Sequence, residues 1–167
     1  MATKSKSKMN KVVDIIRDMI KSNQDILKLL DNDAKDVDIY SLPNLSRLEA
    51  SKVVNDKIIT RPKVFSENEQ CCYMVLMYGN KTYHEARNTW FNGNNFDVYI
   101  LCHNDIRIND IVGDRVLEIE QLLEDMFKDA ELDKVTCRTS IANSEPSVID
   151  NGYTGRHITI RFYDMNR

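Results

Sequence analysis

A two-layer α+β fold, one sheet with helices packed on one of its faces, follows from three features of this sequence. Phe96–His103 alternates residue types as a strand does, and the stretch after it spaces its apolar residues as a helix does. A second helical stripe opens the chain. Strands joined by hairpins, together with helices that each expose one apolar stripe, bury both surfaces by stacking. The sheet is expected to be antiparallel or mixed, with the N-terminal helix and a long amphipathic helix on one side.

The length of 167 residues suits one domain with one core. Residues 1–10 read as a flexible basic tail, its lysines set on Ser and Thr spacers, and residues 11–167 as a single α+β domain. From Lys11 to Leu30 the residues Val12, Ile15, Ile16, Met19, Ile20, Ile26, Leu27 and Leu30 recur at helical spacing, which predicts one helix. Turn formers from Asp31 to Asp36 end it. Val37–Leu42, closed by Pro43, is expected to be extended. Leu45–Asn55 is expected to be a short helix with Leu45, Leu48 and Val53 or Val54 inward. The β-branched residues after Lys57 favour extension, and Pro62 limits that segment to an edge or a bulge.

Cys72–Tyr78 reads as a strand ended by a turn at Gly79-Asn80. The polar segment Lys81–Asn95 reads as a hairpin or loop, with a tight turn at Asn92-Gly93-Asn94-Asn95. In Phe96–His103 the residues Phe96, Val98, Ile100 and Cys102 form a buried face, while Asp97, Tyr99, Leu101 and His103 form a mixed one. Asn104–Asp110 is a polar connector. Val112, Val116, Ile119, Leu123 and Met126 then predict a helix ending near Phe127, capped by Asp110 or a neighbour, with Glu118, Glu120, Glu124 and Asp125 on its wet side. Val135–Ile141 is expected to be a strand, Ala142–Gly152 a loop, and His157–Tyr163 a closing strand with Ile158, Ile160 and Phe162 inward.

Composition narrows the function. A net charge of −3 lacks the basic footprint of a sequence-independent nucleic-acid binder. Charged residues interrupt the segment after the basic N-terminus, so no signal peptide is read, and no apolar run is long enough to span a membrane. A soluble cytosolic chain is expected. Cys71, Cys72, Cys102 and Cys137 lack metal spacing and read as reduced and mostly buried. Cys102 and His103 stand together, yet strand alternation sends them to opposite faces, which argues against a shared ion. The acidic run at Asp31 opens like a calcium loop, but Asp36 stands where Gly is needed and Leu42 where Glu is needed. Gly152-Tyr-Thr-Gly155 precedes a strand, so turn geometry outweighs phosphate binding. The helix acids are a solvated face, or else a surface that meets a basic neighbour or repels DNA. Trp90 and Phe91 read equally as core anchors and as an interface hot spot. No catalytic residue, metal or cofactor is assigned.

Phe96–Asn104, then Gly113-Asp-Arg-Val-Leu-Glu-Ile and its helix, then Asn151–Asp164, together resemble the tail terminator and tail-to-head joining proteins of tailed phages. The resemblance covers most of the chain from Lys11 and is strongest after Phe96; Val37–Val64 departs from it. It implies a non-enzymatic virion subunit in the neck or tail, made in the host cytoplasm, which forms a homo-oligomeric ring, usually a hexamer. Such a ring ends the tail tube, binds the tail tube protein and the neck proteins below the portal, and meets DNA only as passing cargo, with no membrane involved. It also implies sheet strands at Phe96–His103 and Arg156–Tyr163, with loops Lys81–Asn95 and Ala142–Gly152 reaching neighbouring rings. Trp90, Phe91, Asn92, Asn94, Tyr153 and Arg156 are the interface candidates on this reading. Another connector or head-completion ring is the nearest alternative. From other classes come a metal-dependent hydrolase using His103, Asp105 and Asp110, which lacks nucleophile–base spacing, and a module dimerising through its helix stripe.

Overall fold

The computed structural model describes residues 8–60, 70–78, 82–83, 92–128, 130–132, 137–149 and 152–164. The N-terminal stripe forms two helices rather than the single one its periodicity suggests: α1 (Lys8–Ser22) and α2 (Gln24–Asp31). Asn23 divides them. Its backbone is extended and its side chain accepts from the N–H groups of Asp25 and Ile26, so it caps a new helix instead of continuing the old one. α1 begins inside the segment expected to be a flexible tail.

Val37–Leu42 is not extended; it holds a 3₁₀ turn over Ile39–Ser41, capped by Asp38, that buries Ile39. α3 (Arg47–Lys57) starts with a reciprocal Ser46–Glu49 capping box, and those bonds hold the Glu49 carboxyl below its ordinary range. Ala50, Val53 and Val54 share its inner face. Leu48, expected inward, lies on the opposite side of the helical wheel and is 82% exposed.

The strands are β1 (Ile58–Ile59), β2 (Cys72–Tyr78), β3 (Thr82–Tyr83) and β4 (Asn92–His103). After them come a one-turn α4 (Asn104–Arg107), a small hairpin of β5 (Ile108–Asn109) and β6 (Gly113–Asp114), and α5 (Arg115–Phe127). β7 (Glu131–Leu132), β8 (Cys137–Ile149) and β9 (Tyr153–Asp164) complete the described elements. The main sheet runs β1-β2-β4-β9-β8-β7, with β3 beside β2 on β4. Only β1–β2 is parallel, so the sheet is mixed.

Within the segment expected to be a hairpin or loop, β3 pairs antiparallel with β4, but the tight turn expected at Asn92–Asn95 is strand, and so is the expected loop from Ala142 to Ile149. Asn92–Asn95 is held by β3 on one side and by Arg161 and Phe162 of β9 on the other, and this pairing overrides its turn propensity. Ala142–Ile149 pairs with β9 as far as Tyr153, and a bulge between Ile141 and Asn143 absorbs one residue. Ser, Asn and Pro suggest a loop there, but an edge strand tolerates them.

The polar connector is ordered as well. The buried Asn109 side chain donates to the Ala34 and Val37 carbonyls at 3.1 and 3.0 Å and accepts from Ile111 and Val112 N–H, closing the β5–β6 hairpin. The helix therefore starts after this hairpin. Asp114 caps α5, and Val112 packs on the core from the turn rather than from the helix. The core lies between α1, α2, α3 and α5 and one face of the sheet: Cys72, Met74 and Leu76 of β2, Phe96, Val98, Ile100 and Cys102 of β4, and Ile158, Ile160 and Phe162 of β9. A smaller cluster of Cys71, Tyr73, Val75, Leu101 and Tyr153 lies on the opposite face.

Candidate functional site

The sheet's far end, where β8 and β9 run side by side, combines a strand edge that no described strand covers beyond Arg138 with a polar face. β7 covers β8 only at Cys137 and Arg138, and the Thr139 N–H reaches the Ala130 carbonyl at 3.0 Å. From Ile141 to Ile149, no described strand pairs with the outer edge of β8. Proline is tolerated in a strand where its missing N–H faces such an edge, and Pro146 stands midway along this one. Val148, near its end, is 79% exposed.

On the face away from the helices, register brings Tyr99, His157 and Glu145 into one row across β4, β9 and β8, with Asp97 and Thr159 in the next. The His157 ring stacks on Tyr99 at 4.3 Å and 4°. Its Nδ1 lies 3.0 Å from Glu145 Oε1. Its Nε2 lies 3.1 Å from Asp97 Oδ1, an electrostatic contact without hydrogen-bond alignment. That same Asp97 oxygen accepts from the Thr159 hydroxyl at 2.9 Å. Burial, and then the Asp97 and Glu145 carboxylates, raise the Tyr99 hydroxyl above its ordinary pKa. The two imidazole nitrogens point to opposite sides of the ring, so the carboxylates bracket His157 and cannot join it around one ion. Among the described residues, no group of three or more His, Cys, Asp or Glu is placed to hold a metal ion. No sequence motif marks the row, because its members meet only through strand register.

The expected site residues divide three ways. Trp90 and Phe91 lie outside the described residues. Asn92 and Asn94 are strand residues, paired with Tyr83 and Phe162, and not turn residues. Tyr153 is buried; its hydroxyl lies 3.4 Å from Cys71 Sγ, and its ring meets Tyr73 and His103 edge-on at 5.5 and 5.3 Å. Burial, with the Cys71 contact next, drives its pKa strongly upward. Arg156 turns toward α5 and pairs with Glu120 at 2.9 Å, while Ser144 donates to the same carboxylate. Tyr153 is engaged inside the fold, whereas Arg156 is held against α5 with part of its side chain still exposed.

Glu120, expected on the wet side of its helix, is therefore buried, at 8% exposure. An i, i+4 stripe made only of apolar residues leaves it out, and only the position of Arg156 accounts for it. Of the acids around it, Glu118 accepts from the Tyr40 hydroxyl at 2.6 Å and Asp125 from Gln121 at 3.1 Å. Cys102 faces the core and His103 the opposite cluster, as alternation requires. His103 Nδ1 accepts from the Asp105 N–H at 3.3 Å, and Asp110 is exposed, its N–H donating to the Lys35 carbonyl. Gly152, at φ +79°, makes the turn before β9; Gly155 lies within that strand, where an added Cβ would overlap the Ile100 carbonyl oxygen.

Among the described residues, fold and face together define a two-layer α+β protein with a strand edge that no described strand covers and a polar row on the sheet face away from the helices. Residues 23–162 match the YomW family model, and the chain belongs to this phage-associated family. No curated protein and no solved structure matches the chain. Among the described residues, no helix is long and apolar enough to cross a membrane.

Proposed function

We propose that this chain is a structural, non-enzymatic subunit of a tailed-phage neck, forming a ring that ends the tail tube and joins it to the head. The observation that carries the reading is the outer edge of β8, without a described partner strand from Ile141 to Ile149. A ring subunit needs a surface that continues into the next copy, and an edge strand supplies rows of backbone donors and acceptors for it. Membership in a phage-associated family supports the setting. Helices on one side and the His157 row on the other give such a ring two chemically distinct surfaces. If sheets line the channel, the polar row faces the passing DNA, and the tube and neck proteins bind at the rims.

Light scattering after size exclusion, with negative-stain imaging, tests this on the chain alone and with the tail tube protein of the same phage. The expected result is a closed ring, at least when the tube is present. Val148→Lys places a charge on the β8 edge at an exposed position and is expected to block assembly while leaving the circular dichroism spectrum unchanged. A chain that remains monomeric beside its tube overturns the ring; rings that tolerate Val148→Lys move the contact away from β8.

A further inference from the structure

We propose that Cys72 and Cys102 are a cross-strand redox pair that closes into a disulfide stapling β2 to β4. The two residues are direct partners in the antiparallel register. The His103 N–H donates to the Cys71 carbonyl at 3.1 Å, from the residue after one cysteine to the residue before the other. That bond brackets a non-hydrogen-bonded pair, in which the Cα atoms approach to roughly 4.5 Å, inside the range of about 4.4–6.8 Å that a disulfide spans. Both side chains point into the helix-covered core, where each residue is 0% exposed. Cys71 belongs to the opposite face, beside Tyr153, so alternation keeps it from competing.

The chemistry is exchange with a low-molecular-weight disulfide. One cysteine thiolate attacks it, forming a mixed disulfide and releasing one small thiolate. The second cysteine thiolate attacks the protein sulfur of that mixed disulfide and releases the other. The protein loses two protons and two electrons, and the small disulfide becomes two thiols. The Cys102 thiol beside it and burial both hold the Cys72 thiol well above its ordinary range, so the closed strand reacts slowly. Access needs a local opening of the β2–β4 pairing that breaks the His103–Cys71 bond. The staple forms whether or not the chain assembles into a ring.

The test oxidises the full chain with oxidised glutathione, once folded and once during refolding from urea, which removes the access barrier. Peptide mapping is expected to link Cys72 to Cys102, and titratable thiols in denaturant to fall from four to two. Because the link closes a long loop, Tm is expected to rise by about 5 °C or more and to return on reduction. Cys71→Ala retains the link and the shift; Cys102→Ala loses both. Four remaining thiols after oxidative refolding, a link made through Cys71, glutathione adducts in place of a link, or a lowered Tm would each overturn the proposal.

Discussion

Arg115→Met is the most searching test of how the helical layer is held to the rest of the chain. Arg115 is a fully buried guanidinium at 0% exposure, at the first position of α5. Its Nε donates to the Ile106 carbonyl at 2.8 Å, and its two terminal nitrogens donate to the carbonyls of Asn32 and Ala34. One side chain therefore fixes the exit of α2, the α4 turn and the start of α5. Methionine keeps most of the volume and removes every donor. The Ile106 carbonyl is buried and loses a charge-assisted bond, costing about 2 kcal/mol, the Asn32 carbonyl lies in a half-buried residue that water can reach and costs about 1 kcal/mol, and the Ala34 carbonyl, which keeps its bond from the Asn109 side chain, costs less than about 1 kcal/mol. Relief of the buried cation's desolvation offsets part of this, leaving a net loss of about 3 kcal/mol. Urea unfolding followed by circular dichroism measures it as a lower midpoint at an unchanged slope. A loss below about 1 kcal/mol would show that packing alone holds these segments, and the reasoning from Arg115 would fail.

A double-mutant cycle of Glu120→Gln and Arg156→Met should yield a coupling of about 1–2 kcal/mol, more than exposed ion pairs give, because both partners are largely buried; equal and additive losses would contradict it. At high pH, stability should fall as the medium passes the ordinary tyrosine range. Burial pushes the Tyr73 hydroxyl up to about 12, so between about pH 10 and that value the unfolded chain loses a proton that the folded chain keeps. The stabilising contribution is complete below the ordinary value and disappears as pH rises through the raised one. Tyrosinate absorbance set against urea midpoints checks this, and a fall across that window no shallower in Tyr73→Phe than in wild type would refute it.

The helix stripes and the two central strands were legible in the sequence because burial writes itself as a period: Phe96, Val98, Ile100 and Cys102 could be read as one face, and they form it. Features set by partners far along the chain were not. The break at Asn23 depends on a cap competing with a continuous stripe. The strand conformation of Asn92–Asn95 and Ala142–Ile149 depends on β9 lying beside them, against residues that individually favour turns. The candidate site suffers most from this, since Asp97, Tyr99, Glu145 and His157 are dispersed in sequence and adjacent only in register. Tyr153 and Arg156 are interface candidates only through the resemblance, and which way they face is settled by Cys71 and Glu120, neither of which local pattern implies.

The buried charges have a common placement that bears on where a partner can act. Arg115 ties the start of α5 to the segment after α2; Asp114 caps α5 while gripping Arg107, whose Nη1 reaches Thr154 of β9 at 2.8 Å; Glu120 ties the middle of α5 to Arg156. An apolar stripe alone would let α5 slide by one turn with similar burial, since i and i+4 positions are alike in shape. Three ties along one helix remove that freedom, each pairing only in one register. The helical layer is thereby committed to holding β9 and, through Ser144, the bulged half of β8 in place. A strand fixed from one face in this way is a rigid edge, and docking a second strand onto it orders little that is not already ordered. Assembly through β8 therefore predicts that Glu120→Gln weakens subunit association, read as a lower ring fraction in light scattering, even though Glu120 acts only through Arg156 and Ser144; association unchanged by this substitution would detach the edge from the helix that holds it.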